Sequence, residues 1–166
     1  EADHPDEDDP HVWTSPRLAK SIAEHITAAL IEADPQHSAV YQKNLEFLLA
    51  DISDLQAEIA QSITHMETRQ FMVFHPGWGY FADEFDLEQI PIEIGGSEPS
   101  ASELAGLIDR AKTDGIRVIF AQPEFSTQSA KFIASEIGGE VILISPLAED
   151  WLNNLRLVSQ TFAEVL

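Results

Sequence analysis

Four short apolar runs in the later part of the chain, each followed by a helical pattern, constrain the fold most strongly. The runs span 71–74, 90–94, 117–121 and 141–144. Runs of this length that alternate with helices are typical of βα units, and successive βα units build a parallel sheet. We therefore predict an α/β fold, with a small parallel sheet flanked by helices over residues 67–166. Ligands of such sheets bind at the carboxyl ends of the strands.

Two helices are predicted ahead of the sheet. Ser15 and Pro16 combine an N-cap residue with a first-turn proline, and the helix that they start runs to about Ala33. Asp34-Pro35 repeats this signal, and an apolar stripe free of Gly and Pro follows from 36 to about 66. We expect the second helix to be a long rigid connector, which either ties two lobes together or dimerises as a coiled coil.

Charge and composition exclude several classes of function. The chain has 9 Lys and Arg and 29 Asp and Glu, which give a net charge of -20. Such a charge repels nucleic-acid phosphates and anionic lipids and attracts cations. No cysteine is present, so a metal must bind through His, carboxylate or water. No apolar run approaches the roughly 20 residues of a membrane span, and we predict no membrane insertion. Residues 1–9 are acidic enough to be predicted as a mobile segment.

Two histidines are the strongest candidates for chemistry. His75 directly follows the run FMVF, at the predicted carboxyl end of a strand, and either binds a ligand there or caps the next helix. His11 lies in DPHVW, beside Trp13. Two neutral imidazoles with carboxylate or water form a complete shell for Zn²⁺. Since 64 residues separate these histidines, they meet only if the fold brings them together.

Carboxylates at the same predicted edge could complete the shell. Glu149 and Asp150 follow the last apolar run, although capping of the next helix accounts for Asp150 equally well. Glu93 is either a plain loop residue or a carboxylate that supports a ligand. The remaining histidines have polar neighbours and are predicted to face solvent; they are His4, His25, His37 and His65.

Several segments, in this order, carry a family resemblance: DPHVWTSP, VFHPGWGYFA, EPSASELAGLI, VIFAQPEFS and ISPLAEDW. They resemble the periplasmic zinc- and manganese-binding proteins of bacterial ABC importers over nearly the whole chain. The resemblance implies a two-lobed protein that clamps its metal between lobes joined by one long helix. This chain would then be the later portion of such a protein. It would comprise an acidic loop and a remnant of the first lobe (1–34), the connecting helix (35–66) and the second lobe (67–166).

The resemblance also implies a ligand set. His11 and His75 match two of the family's metal ligands, and a histidine at the second position favours zinc over manganese. Family members usually add a histidine from the first lobe, which would precede Glu1. Ser145 and Gln122 stand where many members have Asp and Glu, so Asp150, Glu149 or water is the candidate for the fourth ligand.

The resulting functional hypothesis is a binding protein rather than an enzyme. It would capture Zn²⁺, or alternatively Mn²⁺, through His11, His75 and Asp150 in the periplasm and deliver the ion to a membrane permease. One alternative is a zinc-dependent hydrolase in which His75 is general base or ligand. Another is a structural module in which every histidine is incidental.

Overall fold

The computed structural model describes residues 9–125 and 127–166. Most of the predicted acidic segment, with His4, lies outside the described residues. The helices are α1 (Pro16–Ala33), α2 (Ser38–Ser62), α3 (Gly79–Glu84), α4 (Ala101–Thr113), α5 (Gln128–Ile137) and α6 (Trp151–Val165). The strands are β1 (Gln70–Val73), β2 (Glu88–Pro91), β3 (Val118–Ala121) and β4 (Glu140–Leu143). Short 3-10 turns occupy Val12–Thr14, Pro35–His37 and Ile63–His65.

The strands form one parallel sheet in the order β2-β1-β3-β4, which confirms the predicted fold class. β1, β2 and β4 each end before the corresponding apolar run does. Phe74, Ile92 and Ile144 directly follow these strands and remain buried. Their backbone N–H groups still donate to the neighbouring strands, so the apolar runs include residues that are hydrogen-bonded to the sheet beyond the named strands.

Helices cover both faces of the sheet, and β1 shows how the sequence divides its side chains between them. Phe71 and Val73 pack with α2, α3 and α6, whereas Met72 and Phe74 pack with α4 and α5. This alternation follows from the two-residue period of a strand. Each fully buried apolar side chain contributes about 1.5–3 kcal/mol relative to exposure, so the two clusters hold the sheet between its helical layers.

The long helix α2 is buried only in its second half. Ile52, Leu55 and Ile59 lie in the core, whereas Phe47 is 62% exposed and Val40 53% exposed. The α-helical part has 25 residues, shorter than predicted, because the predicted ends tighten into 3-10 turns. Within the described part of the chain, no helix is both long and apolar enough to cross a membrane.

Glu84 ties α1 to the rest of the structure. The Ser15 hydroxyl, which caps α1, donates to Glu84 Oε2, and the backbone N–H of Arg17 donates to the same oxygen over 3.0 Å. Gln56 of α2 donates to Glu84 Oε1 over 2.6 Å. One carboxylate of α3 thus holds the start of α1 and the second half of α2. The dipole of α1 adds to this contact, because the N-terminus of a helix favours negative charge.

Replacement of Glu84 by alanine should lower the free energy of unfolding by about 2 kcal/mol, because it leaves several donors without their charged acceptor. Urea denaturation measures this loss. The matched control is Asp83→Ala, since Asp83 is 73% exposed and pairs with the exposed Arg17 side chain. That change should cost less than about 0.5 kcal/mol. Equal losses for the two variants would contradict the assignment of Glu84 as a tie.

Candidate metal centre

His75 lies at the point in the parallel sheet where the order of the strands reverses. It follows β1, which has β2 on one side and β3 on the other, so the crevice at the carboxyl end of β1 is the switch point of the sheet. Phe74 makes the last backbone bond from this chain segment to β3, donating to the Phe120 carbonyl over 2.8 Å. His75 then projects from the edge with 23% of its side chain exposed.

The segment 9–15 packs over this edge and brings His11 with it. Thr14 donates from its hydroxyl to the His11 carbonyl, which closes the short 3-10 turn. The Trp13 indole donates to the Pro146 carbonyl over 2.9 Å, and the Trp151 indole donates to the Trp13 carbonyl over 2.8 Å. The two tryptophans therefore fasten the segment to the loop between β4 and α6.

The two imidazoles meet through their Nε2 atoms, which are 3.3 Å apart. The ring centroids are separated by 5.1 Å and the ring planes are inclined by 72°. Two nitrogens bound to one tetrahedral Zn²⁺ at about 2.0–2.1 Å lie about 3.3–3.4 Å from each other. The separation of His11 and His75 is therefore the one that a shared zinc ion requires.

Two carboxylates set the orientation of the rings. Asp9 Oδ1 lies 2.7 Å from His11 Nδ1, and Glu93 Oε2 lies 2.7 Å from His75 Nδ1. Because a carboxylate only accepts, each Nδ1 carries a proton, and in the neutral ring the Nε2 atom then presents a lone pair. Two such lone pairs 3.3 Å apart repel each other, and a cation shared between them, either a proton or a metal ion, relieves the repulsion.

Two glycines of the loop after β1 make room for the incoming segment. A Cβ on Gly77 would lie 3.4 Å from His11 Cδ2, and a Cβ on Gly79 would lie 2.8 Å from Asp9 Oδ2. Trp78, between them, is fully buried, and its backbone N–H donates to Gln89 Oε1 over 2.8 Å. The loop is thus anchored in the core, while the missing side chains of its two glycines leave room for His11 and Asp9.

Aromatic rings flank the pair. Phe125 stacks on His75 with ring centroids 4.7 Å apart and planes inclined by 25°, and Trp13 lies tilted beside His11 at 5.4 Å. A cavity of about 770 Å³ opens next to the histidines. Its lining consists of Asp9, Pro10, His11, His75, Pro76, Gln89, Glu93, Gly95 and Gly96.

The described residues provide two ligand nitrogens rather than a full shell. Across 9–125 and 127–166, no group of three or more His, Asp and Glu side chains is arranged to hold a metal ion. Asp9 and Glu93 are close, but each uses an oxygen to hold Nδ1.

Asp150, the third candidate ligand, is placed at the N-cap of α6. Its carboxylate accepts from the Asn153 N–H over 3.4 Å and from the Asn153 side chain over 2.6 Å. Neither Asp150 nor Glu149 lines the cavity beside the histidines. His25, His37 and His65 are exposed, as their polar neighbours indicate.

Sequence reasoning missed Asp9, which it assigned to the mobile acidic segment, and left the role of Glu93 open. The signal for Asp9 was its spacing, because a carboxylate two residues before a histidine can reach that histidine's ring in a turn. For Glu93 the signal was its position after the second strand, next to the strand that carries His75.

Comparison with known proteins places the chain among metal-uptake proteins. A family model described as "Zinc-uptake complex component A periplasmic" matches residues 1–165. The chain is 36% identical over 141 residues to the high-affinity zinc uptake system protein ZnuA of Bacillus subtilis (strain 168), covering 84% of this chain and 44% of the relative. It is 34% identical to a putative metal-binding protein of Treponema pallidum (strain Nichols), covering 84% of this chain and 45% of that protein.

Solved structures agree with this placement. A crystal structure of ZnuA matches with a TM-score of 0.93 and 46% identity over 95% of this chain and 62% of that one. A zinc-bound ZnuA deletion mutant matches with a TM-score of 0.90 and 46% identity, over 95% of this chain and 60% of that one. The chain spans less than half the length of the two curated relatives and about three fifths of these structures.

Replacement of Gly79 by alanine should separate Asp9 from His11, because the new methyl group would lie 2.8 Å from the Asp9 carboxylate. We expect the free energy of unfolding to fall by about 1 kcal/mol. The nuclear Overhauser contacts between the His11 and His75 rings should weaken.

The matched control is Gly106→Ala in the middle of α4, where no atom lies within 4 Å of the added Cβ. That change should raise stability by about 0.5–1 kcal/mol, because alanine suits a helix interior better than glycine does. The two glycine variants should therefore shift stability in opposite directions, and a neutral or stabilising Gly79→Ala would refute the steric argument.

Proposed function

The chain belongs to the family of periplasmic zinc-uptake component A proteins, and on that premise we propose that it captures Zn²⁺ for delivery to a membrane importer. His11 and His75 are the proposed ligands of the ion, which is cargo and undergoes no reaction. The proposed location is the periplasm or another extracytoplasmic space. The proposed partner is the permease of an ABC importer.

The observation that supports this function best is the 3.3 Å separation of the two Nε2 atoms. It matches the spacing of two nitrogens on one tetrahedral zinc ion. The carboxylates on the opposite ring nitrogens strengthen the case, because metal-binding histidines usually donate their other N–H to such a partner. The orientation of both rings thus suits metal binding before any ion arrives.

Zinc fits the pair better than manganese does. Imidazole nitrogens suit zinc, whereas manganese prefers carboxylate, carbonyl and water oxygens. Each of the two nearby carboxylates has one oxygen committed to an Nδ1 atom, and the two imidazole Nε2 atoms are the donors already held close together. Water, Glu149, Asp150 or a histidine from a preceding part of a longer protein remain the proposed sources of further ligands.

The hydrolase alternative gains no support. A general base needs a nitrogen free to take a proton from a substrate or water. His75 has Nδ1 against Glu93 at 2.7 Å and Nε2 against His11 at 3.3 Å, so neither nitrogen faces a substrate. The names of the similar proteins, which describe zinc uptake and metal binding, also give no indication of hydrolysis.

Replacement of either proposed ligand should weaken zinc binding strongly. In isothermal titration calorimetry we expect one ion per chain, and His11→Ala or His75→Ala should lower the affinity by at least about 100-fold, since each removes one of two nitrogen ligands. The control is His65→Ala, because His65 is an exposed histidine in the 3-10 turn after α2 and its loss should leave binding unchanged. Heats that persist in the His11 and His75 variants would reject the assignment, and Asp150→Asn tests the third candidate ligand in the same experiment.

Removal of the charge behind His75 should weaken binding less than loss of the ligand itself. Glu93→Gln keeps the shape of the side chain but no longer fixes the Nδ1 proton by a charged acceptor, and we expect a loss of about 10–100-fold in zinc affinity. Glu98→Gln is the matched control, because Glu98 follows in the same loop and bonds to the Ser129 hydroxyl instead. A loss of affinity in the Glu98 variant equal to that in the Glu93 variant would show that general negative charge, and not the contact with His75, matters.

A further inference from the structure

Gln122 is a fully buried polar residue whose side chain bonds to His75 through both its oxygen and its nitrogen. Its Oε1 accepts from the His75 backbone N–H over 3.3 Å, and its Nε2 donates to the His75 carbonyl over 2.7 Å. The carboxamide therefore bonds to both backbone groups of the residue that carries the proposed ligand. Burial of an amide is costly unless it is satisfied, and these two bonds satisfy it.

The position of Gln122 explains how it reaches these groups. The ladder between β1 and β3 pairs Met72 with Ile119 and Val73 with Phe120, and β3 ends at Ala121. Past that point the Gln122 side chain takes the place of a peptide group and continues the pairing toward His75. The backbone of His75 is thereby held like that of a strand residue although the residue lies outside the strand.

Gln122 also acts on the His75 ring through its own backbone. The Gln122 carbonyl accepts from the Phe125 N–H over 3.2 Å, which closes a turn. That turn presents the Phe125 ring, which stacks on the imidazole at a centroid distance of 4.7 Å. One residue thus contributes to fixing both the main chain of His75 and the ring that covers its side chain.

We propose that Gln122 is the positioning residue that holds His75 Nε2 at metal-binding distance from His11. It touches no metal and acts only through His75. Glu93 fixes the tautomer of the ring, and Gln122 fixes the backbone from which the ring projects. The effect on zinc affinity rests on the proposed function, whereas the effect on the placement of His75 does not.

The test replaces Gln122 by methionine, which has similar length but can neither donate to the His75 carbonyl nor accept well from its N–H. Zinc affinity is measured by competition with a chromogenic chelator, and the His75 ring nitrogens of the metal-free protein are observed by ¹⁵N NMR at pH 7.5. We expect at least a roughly tenfold loss of affinity. We also expect the His75 nitrogen signals to move toward a mixture of tautomers, because a His75 backbone that is no longer held loosens the contact of Nδ1 with Glu93.

The control is Ile119→Val in β3, just before Gln122, which removes one buried methylene and lowers stability at a position that pairs with Met72 rather than with His75. Its zinc affinity should stay within about twofold of wild type, since the change lies apart from the ligand. Should the methionine variant fail to fold, Gln122→Asn keeps the amide but cannot span both His75 groups, and it should show the same losses.

Wild-type affinity and unchanged His75 signals in the Gln122 variants would overturn the proposal. An equal loss in Ile119→Val would overturn it as well, because destabilisation alone would then account for the effect. If the wild-type chain binds no zinc through its histidines, the proposed function fails, and the NMR signals of the metal-free protein still decide the role of Gln122.

Discussion

The close approach of His11 Nε2 and His75 Nε2 is the constraint that explains the rest of the site. In neutral rings protonated at Nδ1, two lone pairs 3.3 Å apart do not attract each other, so the surrounding residues must impose the contact. Asp9 and Glu93 impose the tautomers, the glycine loop admits the first segment, and the tryptophan bonds fasten that segment in place. The fold thus holds two ring nitrogens in a geometry that a shared cation relieves.

Most of the fold could be predicted because its signals are local. Ser15 and Pro16 mark the start of α1, and the structure begins the helix at Pro16 with Ser15 as its N-cap. The strand ends were less predictable, because the apolar pattern records which residues are buried. Pairing also depends on where the neighbouring strand stops, which no local pattern contains.

The site was predictable only in part, since it joins distant segments. His75 could be identified because it follows a buried strand, a position that the sequence shows directly. His11 carries no such signal, and its pairing with His75 was predicted only through the family resemblance. Asp9 was hidden by the acidic residues around it, because composition suggests a mobile segment even where one carboxylate has a fixed partner. Asp150 illustrates the reverse ambiguity, since the same aspartate that could bind a metal also suits a helix N-cap, where the structure has it.

The contacts of the segment 9–15 bear on the division of the chain into 1–34, 35–66 and 67–166. Grouping 1–34 as one unit joins His11 to α1, yet this segment bonds to Glu84, Pro146 and Trp151, all within 67–166. An apolar groove of about 560 Å³ runs between α1 and α2, and both Trp13 and Trp151 line it. Trp13 also lies beside the His11 ring, so it contacts the groove on one side and the histidine pair on the other. The histidine pair is therefore assembled against the sheet edge, while the groove is built from α1 and α2, and these two regions meet at Trp13.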